Sequence, residues 1–208
     1  YLGSDAVALA PFTSEITYLE EGDWAILHRS GAEIRNVANE PVSRPRQTIH
    51  TGAFVADKGN FRHFMAKEIH EQPEVVGRTL AHYVDFAAGQ VVLPFEVPFD
   101  FKKLTRISIA ACGTAYLSGL VARYWFERLA GLPVEIDIAS EFRYREPPLE
   151  KGGLSLFVSQ SGETADTLAS LRYAKEHGQK TLSVVNVLTS TMARESDVVA
   201  PTLAGLEI

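Results

Sequence analysis

From Thr105 onward, short apolar runs alternate with longer amphipathic stretches, and few folds accept that order. The runs lie at 107–111, 134–138, 154–158, 181–185 and 198–200. A continuous apolar run of about five residues suits a strand covered on both faces, and helix-length segments between such runs supply the crossovers of a parallel sheet. The expectation is an α/β fold, a doubly wound parallel sheet of about five strands. Between the first two runs, Leu117, Leu120, Val121, Tyr124, Trp125 and Leu129 fall at three- and four-residue spacing, a helix with an apolar stripe directed at the core, ended by Gly131 and Pro133. Leu168, Leu171 and Ala174 repeat the pattern after the third run, and Gly178 stands where a C-terminal cap belongs.

The segment before the sheet reads differently. Phe64, Ile69, Val75, Val76 and Leu80 have helical spacing, and Pro73, suited to a first helical turn, is expected to begin a second helix. Residues 39–60 are poor in apolar periodicity and carry Pro41, Pro45, Gly52 and Gly59, which is linker chemistry. Ahead of that stretch, β-type runs at 7–9, 16–19, 24–27 and 34–37 are broken by Pro11, by Glu21-Gly22-Asp23 and by Ser30-Gly31. They form an expected β-meander too small to be stable alone. Tyr1 and Ile208 both sit close to strand-like sequence, so the chain reads as a piece of a longer one.

Charge narrows the partners. With 20 Lys and Arg against 26 Asp and Glu the net charge is −6, and no basic run interleaves with aromatics, so nucleic acid is not an expected partner. No apolar run approaches the roughly 18 residues that span a bilayer. Cys112 is the only cysteine, which suits a reducing, cytoplasmic location. The six histidines, His50, His63, His70 and His82 among them, share no metal-site spacing. No metal is expected.

Two loops carry the chemistry. In a doubly wound sheet ligands gather at the carboxyl ends of the strands, where helix N-termini present unpaired N–H groups and the positive end of their dipoles. The first loop is Ala111-Cys112-Gly113-Thr114, in which Gly113 permits close backbone approach and Thr114 adds a hydroxyl. The second is Ser159-Gln160-Ser161-Gly162-Glu163-Thr164, with three hydroxyls, an amide and a glycine within six residues. Such crowding of short donors suits a phosphate. Taken alone the second loop equally fits a helix cap made by Ser161 or Thr164; the pairing of two such loops favours binding. Glu163 reads as a carboxylate compensating the helix dipole, and Cys112 as a small buried residue rather than a nucleophile. Asp137, Glu141, Arg143 and Arg145 read as a solvated or subunit-facing charged patch.

Three stretches, Cys112-Gly113-Thr114-Ala115-Tyr116, Ala139-Ser140-Glu141-Phe142-Arg143-Tyr144-Arg145 and Ser159-Gln160-Ser161-Gly162-Glu163-Thr164-Ala165-Asp166-Thr167, closely resemble the first sugar-isomerase (SIS) domain of the glutamine-fructose-6-phosphate aminotransferase family. Lys67-Glu68-Ile69-His70-Glu71-Gln72-Pro73 is similar to the start of that family's isomerase half, and Glu20-Glu21-Gly22-Asp23 to the tail of its glutaminase domain. The resemblance implies three parts: 1–40, a glutaminase tail; 41–60, a linker; and 61–208, the first SIS domain with its leading helices. It implies an enzyme that makes glucosamine 6-phosphate from fructose 6-phosphate and glutamine, without a cofactor, as a cytoplasmic homodimer. It assigns Thr114, Ala115, Ser159, Gln160, Ser161 and Thr164 to the sugar phosphate, with Ala115 standing where the family commonly has serine. The family's cysteine nucleophile, second SIS domain and lysine-bearing tail have no counterpart here, so no catalytic residue is named and this chain alone is expected to be inactive. Other readings are a non-catalytic sugar-phosphate sensor and a stand-alone phosphosugar isomerase or deglycase. The strand-like N-terminal third argues against the first of these, and the glutaminase-like tail against the second.

Overall fold

The computed structural model of the protein describes residues 1–3, 6–10, 12–48 and 58–205. Pro11, His50, Gly52 and Ile208, all used in the sequence reading, lie outside the described residues. The chain divides into two compact units, Tyr1–Asp57 and Lys58–Ile208.

In the first unit, α1 (Ala6–Leu9) occupies the run expected as a strand. Alanine and leucine are among the strongest helix formers, and the turn is closed by Ala10 N donating to Ala6 O. The strands do not form one meander. β1 (Glu15–Thr17) pairs antiparallel with β4 (Arg46–Thr48), while β2 (Trp24–His28) and β3 (Gly31–Arg35) form a separate hairpin. β4 thus lies inside the stretch read as linker, held by its ladder to β1. Among the described residues, the buried apolar side chains of this unit are Ala6 and Ile16.

Polar ties supplement so small a core. Arg44 donates to both carboxylate oxygens of Asp23, at 2.8 and 2.9 Å, and Glu20 N donates to Asp23 at 2.9 Å. The Arg44 hydrogen bond first, and the Glu20 N–H second, hold the Asp23 carboxyl below its ordinary pKa. A depressed acid contributes stability that is complete above its unfolded pKa, about 4, and is lost as pH falls through its folded value. Hydrogen-exchange protection of residues 20–44 is therefore expected to hold steady above about pH 4 and to decline below it. Asp23→Asn should flatten that decline, and an unchanged acid profile in the variant would refute the assignment.

The second unit opens with α2 (Phe64–Tyr83), one continuous helix of 20 residues with Pro73 inside it, where two helices were expected. Proline removes one hydrogen bond, to the carbonyl of Ile69; both residues are exposed, so water can satisfy that carbonyl. The last turns of α2 are fastened elsewhere: Tyr83 Oη donates to Pro201 O at 2.6 Å, and Thr79 Oγ1 accepts from Leu203 N at 3.1 Å. A two-residue ladder, β5 (Val84–Asp85) with β6 (Gln90–Val91), follows, then a 3-10 turn at Phe101–Lys103 capped by Asp100.

All five expected sheet strands are present, each within a residue of its expected end. They are β7 (Ile107–Ala111), β8 (Val134–Ile138), β9 (Leu154–Ser159), β10 (Lys180–Val185) and β11 (Val198–Pro201), all parallel, in the order β11-β10-β9-β7-β8. Alternation along the pleat sends Ile107 and Ile109 into one apolar cluster and Ala110 into another. The second cluster takes Phe142 from α4 (Ala139–Arg145), Leu171 and Ala174 from α5 (Ala165–Glu176) and Met192 from α6 (Thr191–Glu195). Gly178, at φ +70°, follows the end of α5 as expected.

The stripe on α3 (Gly113–Trp125) is the main correction to the sequence reading. Leu117, Val121, Tyr124, Trp125 and Leu129 point outward, Trp125 at 62% exposure, and only Leu120 of the six is partly covered. The helix rests on the sheet through Gly119, where an added Cβ would come within 2.5 Å of Ile136 and 3.2 Å of Ile109. A small residue brings the helix axis close to the sheet, and the bulky stripe is left on the far side. α3 continues as a π-turn, Phe126–Ala130, and ends at Gly131 with φ +66°. Among the described residues no helix is long and apolar enough to cross a membrane.

Candidate functional site

β7 is where the strand order reverses: the chain leaves it for β8 on one side and later returns to β9 on the other. Helices leaving two such strands diverge and open a crevice beyond their carboxyl ends. β7 and β9 run in register, Ala111 opposite Val158, so their outgoing loops end at one level. α3 starts from the first loop with Cys112 at its N-cap, and α5 from the second with Thr164 at its N-cap. Neither N-cap side chain hydrogen-bonds the helix it precedes. Two helices of 13 and 12 residues thus begin without side-chain caps beside the same cleft, and their N-terminal N–H groups and dipoles favour an anion there.

The cleft has a volume of about 250 Å³ and is lined by residues of both loops. Thr114, Ala115, Ser159, Gln160 and Thr164, all singled out in the sequence, meet on its wall. Ser161 does not line it; its hydroxyl accepts from Glu163 N at 3.2 Å. Ser161 and Thr164 therefore do not cap α5 with their side chains, and the helix-cap reading of the loop fails on that point. Ser159 Oγ accepts from Gly162 N at 3.0 Å and lies 3.2 Å from Thr164 Oγ1, which folds the loop back on itself. Gly162 makes that turn at φ +66°, in the left-handed region that favours glycine.

Glu163 does not compensate the dipole of α5, because it precedes the N-cap and its Oε1 accepts from Thr191 N at 2.7 Å, at the start of α6. Cys112 is half-buried and borders the cleft, accepting from Thr167 Oγ1 across 3.8 Å. Thr167 itself is fully buried and lines the cleft, and sequence reasoning passed over it. Its position three residues after Thr164 places both on one face of α5, which was the available signal. The charged residues after β8 lie apart from the cleft lining: Arg145 joins Glu135 and Asp137, and Arg106 joins Glu135 and Glu150.

A parallel α/β sheet with two uncapped helix N-termini over a hydroxyl-lined crevice defines a class of domain suited to holding a small anionic ligand. Residues 100–208 match the SIS domain, and the chain belongs to that family. Over all 208 residues it is 63% identical to the glutamine-fructose-6-phosphate aminotransferase (isomerizing) of Mesorhizobium japonicum and 63% identical to that of Bradyrhizobium diazoefficiens. It covers 34% of each, so the chain spans about a third of the length of these curated relatives. Among solved structures, it is similar to the C-terminal domain of glucosamine-fructose-6-phosphate aminotransferase from Francisella tularensis, with a TM-score of 0.64 and 42% identity, over 73% of this chain and 42% of that one. A putative phosphosugar isomerase from Silicibacter pomeroyi matches at a TM-score of 0.55 and 30% identity, over 69% of this chain and 43% of the other.

Proposed function

We propose that the cleft between the β7 and β9 loops binds the phosphate of fructose 6-phosphate or glucosamine 6-phosphate, through Thr114, Ser159, Gln160 and Thr164, with Ala115 contributing contact and Ser161 shaping the loop. The observation that carries this reading is the meeting of two uncapped helix N-termini at a crevice walled by hydroxyls and an amide. The whole protein is then the enzyme that converts fructose 6-phosphate and glutamine to glucosamine 6-phosphate and glutamate, cytoplasmic and homodimeric. Within it, residues 1–40 close a glutaminase domain, 41–60 link, and 61–208 form the first SIS domain. This portion alone binds without catalysing. Similarity along all 208 residues to relatives with that name supports the assignment over a sensor or a stand-alone isomerase.

Calorimetric titration tests it. Fructose 6-phosphate is expected to bind while unphosphorylated fructose does not, and Thr164→Val, which keeps the branched shape and removes the hydroxyl, should weaken binding by about tenfold. Equal heats from both sugars, or none from either at millimolar concentration, would overturn the phosphate site. Sedimentation of the full-length protein as a monomer would overturn the dimer.

A further inference from the structure

The loop at 159–164 is tied to the connection between β10 and α6 at three points. Two are main-chain bonds that no substitution at the accepting residue removes: Asn186 N to Gln160 O and Met192 N to Gly162 O, each 3.1 Å. The third is the Glu163 carboxylate on Thr191 N, at 2.7 Å. The Ser159 and Ser161 hydroxyls bond within the loop, so Glu163 supplies the tie through which a side chain of the loop grips its support. A carboxylate is otherwise a poor choice beside an anion site, because like charges repel strongly in a partly desolvated crevice. Here it is engaged on an N–H outside the cleft lining.

We propose that Glu163 is a positioning residue for sugar-phosphate binding: by holding Thr191 N it fixes the loop so that Ser159, Gln160 and Thr164 face the cleft, and it keeps its own charge directed away from the ligand. The inference rests on the phosphate reading given above and deepens it. Ser190, 2% exposed, strengthens the seat by capping α6 through Ala193 N, at 3.3 Å, so the surface against which Glu163 pulls is itself fixed.

The test is titration of the same chain with fructose 6-phosphate, run on the parent, Glu163→Ala, Glu163→Gln and Arg172→Ala, with thermal midpoints measured alongside. Arg172 pairs with Glu195 at the other end of α6, at 2.7 Å, and its removal loosens that helix without touching Glu163. Glu163→Ala is expected to weaken binding by about tenfold, and Glu163→Gln, whose amide oxygen can still accept from Thr191 N, to recover most of the loss. Arg172→Ala should lower the midpoint and leave affinity in place. Parent-like binding by Glu163→Ala, no recovery by glutamine, or an equal loss in Arg172→Ala would overturn the proposal. A parent that does not bind the sugar phosphate would instead overturn the reading beneath it, and the proposal with it.

Discussion

Gly162→Ala is expected to abolish detectable fructose 6-phosphate binding and to lower stability by about 3 kcal/mol. Two costs add. A left-handed conformation without glycine costs about 1–2 kcal/mol, and Gly162 has φ +66°. Overpacking a tight site costs a further 1–3 kcal/mol or so. Here the new methyl would lie 2.1 Å from Ser190 Oγ and 2.6 Å from Ser190 Cβ, and Ser190 cannot retreat without releasing its cap on α6. Gly178→Ala is the internal control: its φ of +70° carries the same backbone cost, but nothing lies within 4 Å of the added carbon. Chemical denaturation should find Gly178→Ala about 1–2 kcal/mol below the parent with binding retained. Equal stability of the two variants, or retained binding in Gly162→Ala, would show that the loop yields more readily than its contacts imply.

Phe157→Ala should cost about 3–5 kcal/mol, the usual toll for deleting a buried aromatic and leaving a cavity. Phe157 is fully buried on β9, the strand between β7 and β10. Its ring meets Phe142 edge-on at 6.5 Å, and Phe142 in turn meets Tyr173 edge-on at 6.0 Å, which joins sheet, α4 and α5. β9 ends at Ser159, two residues on, so slackness at Phe157 reaches the loop that lines the cleft. The urea midpoint should fall with the slope of the transition unchanged. A loss below 1 kcal/mol would mean that α4 and α5 collapse onto the gap.

How far the sequence determined these results varies with the element. The strands were legible because the stretches at 107–111, 154–158, 181–185 and 198–200 hold only apolar and small hydroxyl residues, a pattern that suits cover on both faces, while β8, Val134-Glu135-Ile136-Asp137-Ile138, alternates apolar and charged residues as an edge strand can. α3 was legible as a helix but not in its orientation. Periodicity marks a stripe; it does not say whether the stripe or the smaller residues opposite will face the sheet, and Gly119 decided the matter through close approach to Ile109 and Ile136. Pro73 misled because the cost of proline depends on whether the orphaned carbonyl can reach water, which only the fold reveals. At the site, the loops announced themselves by composition, whereas the use of Glu163 depends on α6, many residues further along, and no local pattern encodes that contact. Thr167 was within reach, one turn beyond Thr164, but threonine inside a helix carries no distinctive signal.

The two walls of the cleft belong to strands that are neighbours in space and strangers in sequence. β7 and β9 touch only after the chain has travelled through α3, β8 and α4 and come back across the sheet. Closing that circuit costs chain entropy before any of its contacts form, whereas α3 and α5 are held by bonds between near neighbours. The local helix contacts therefore cost less chain entropy to form than the crevice does, and a chain ending before β9 would carry one wall of the cleft without the other. The cleft depends on the strand that completes the circuit, since its lining comes from the loops after both β7 and β9.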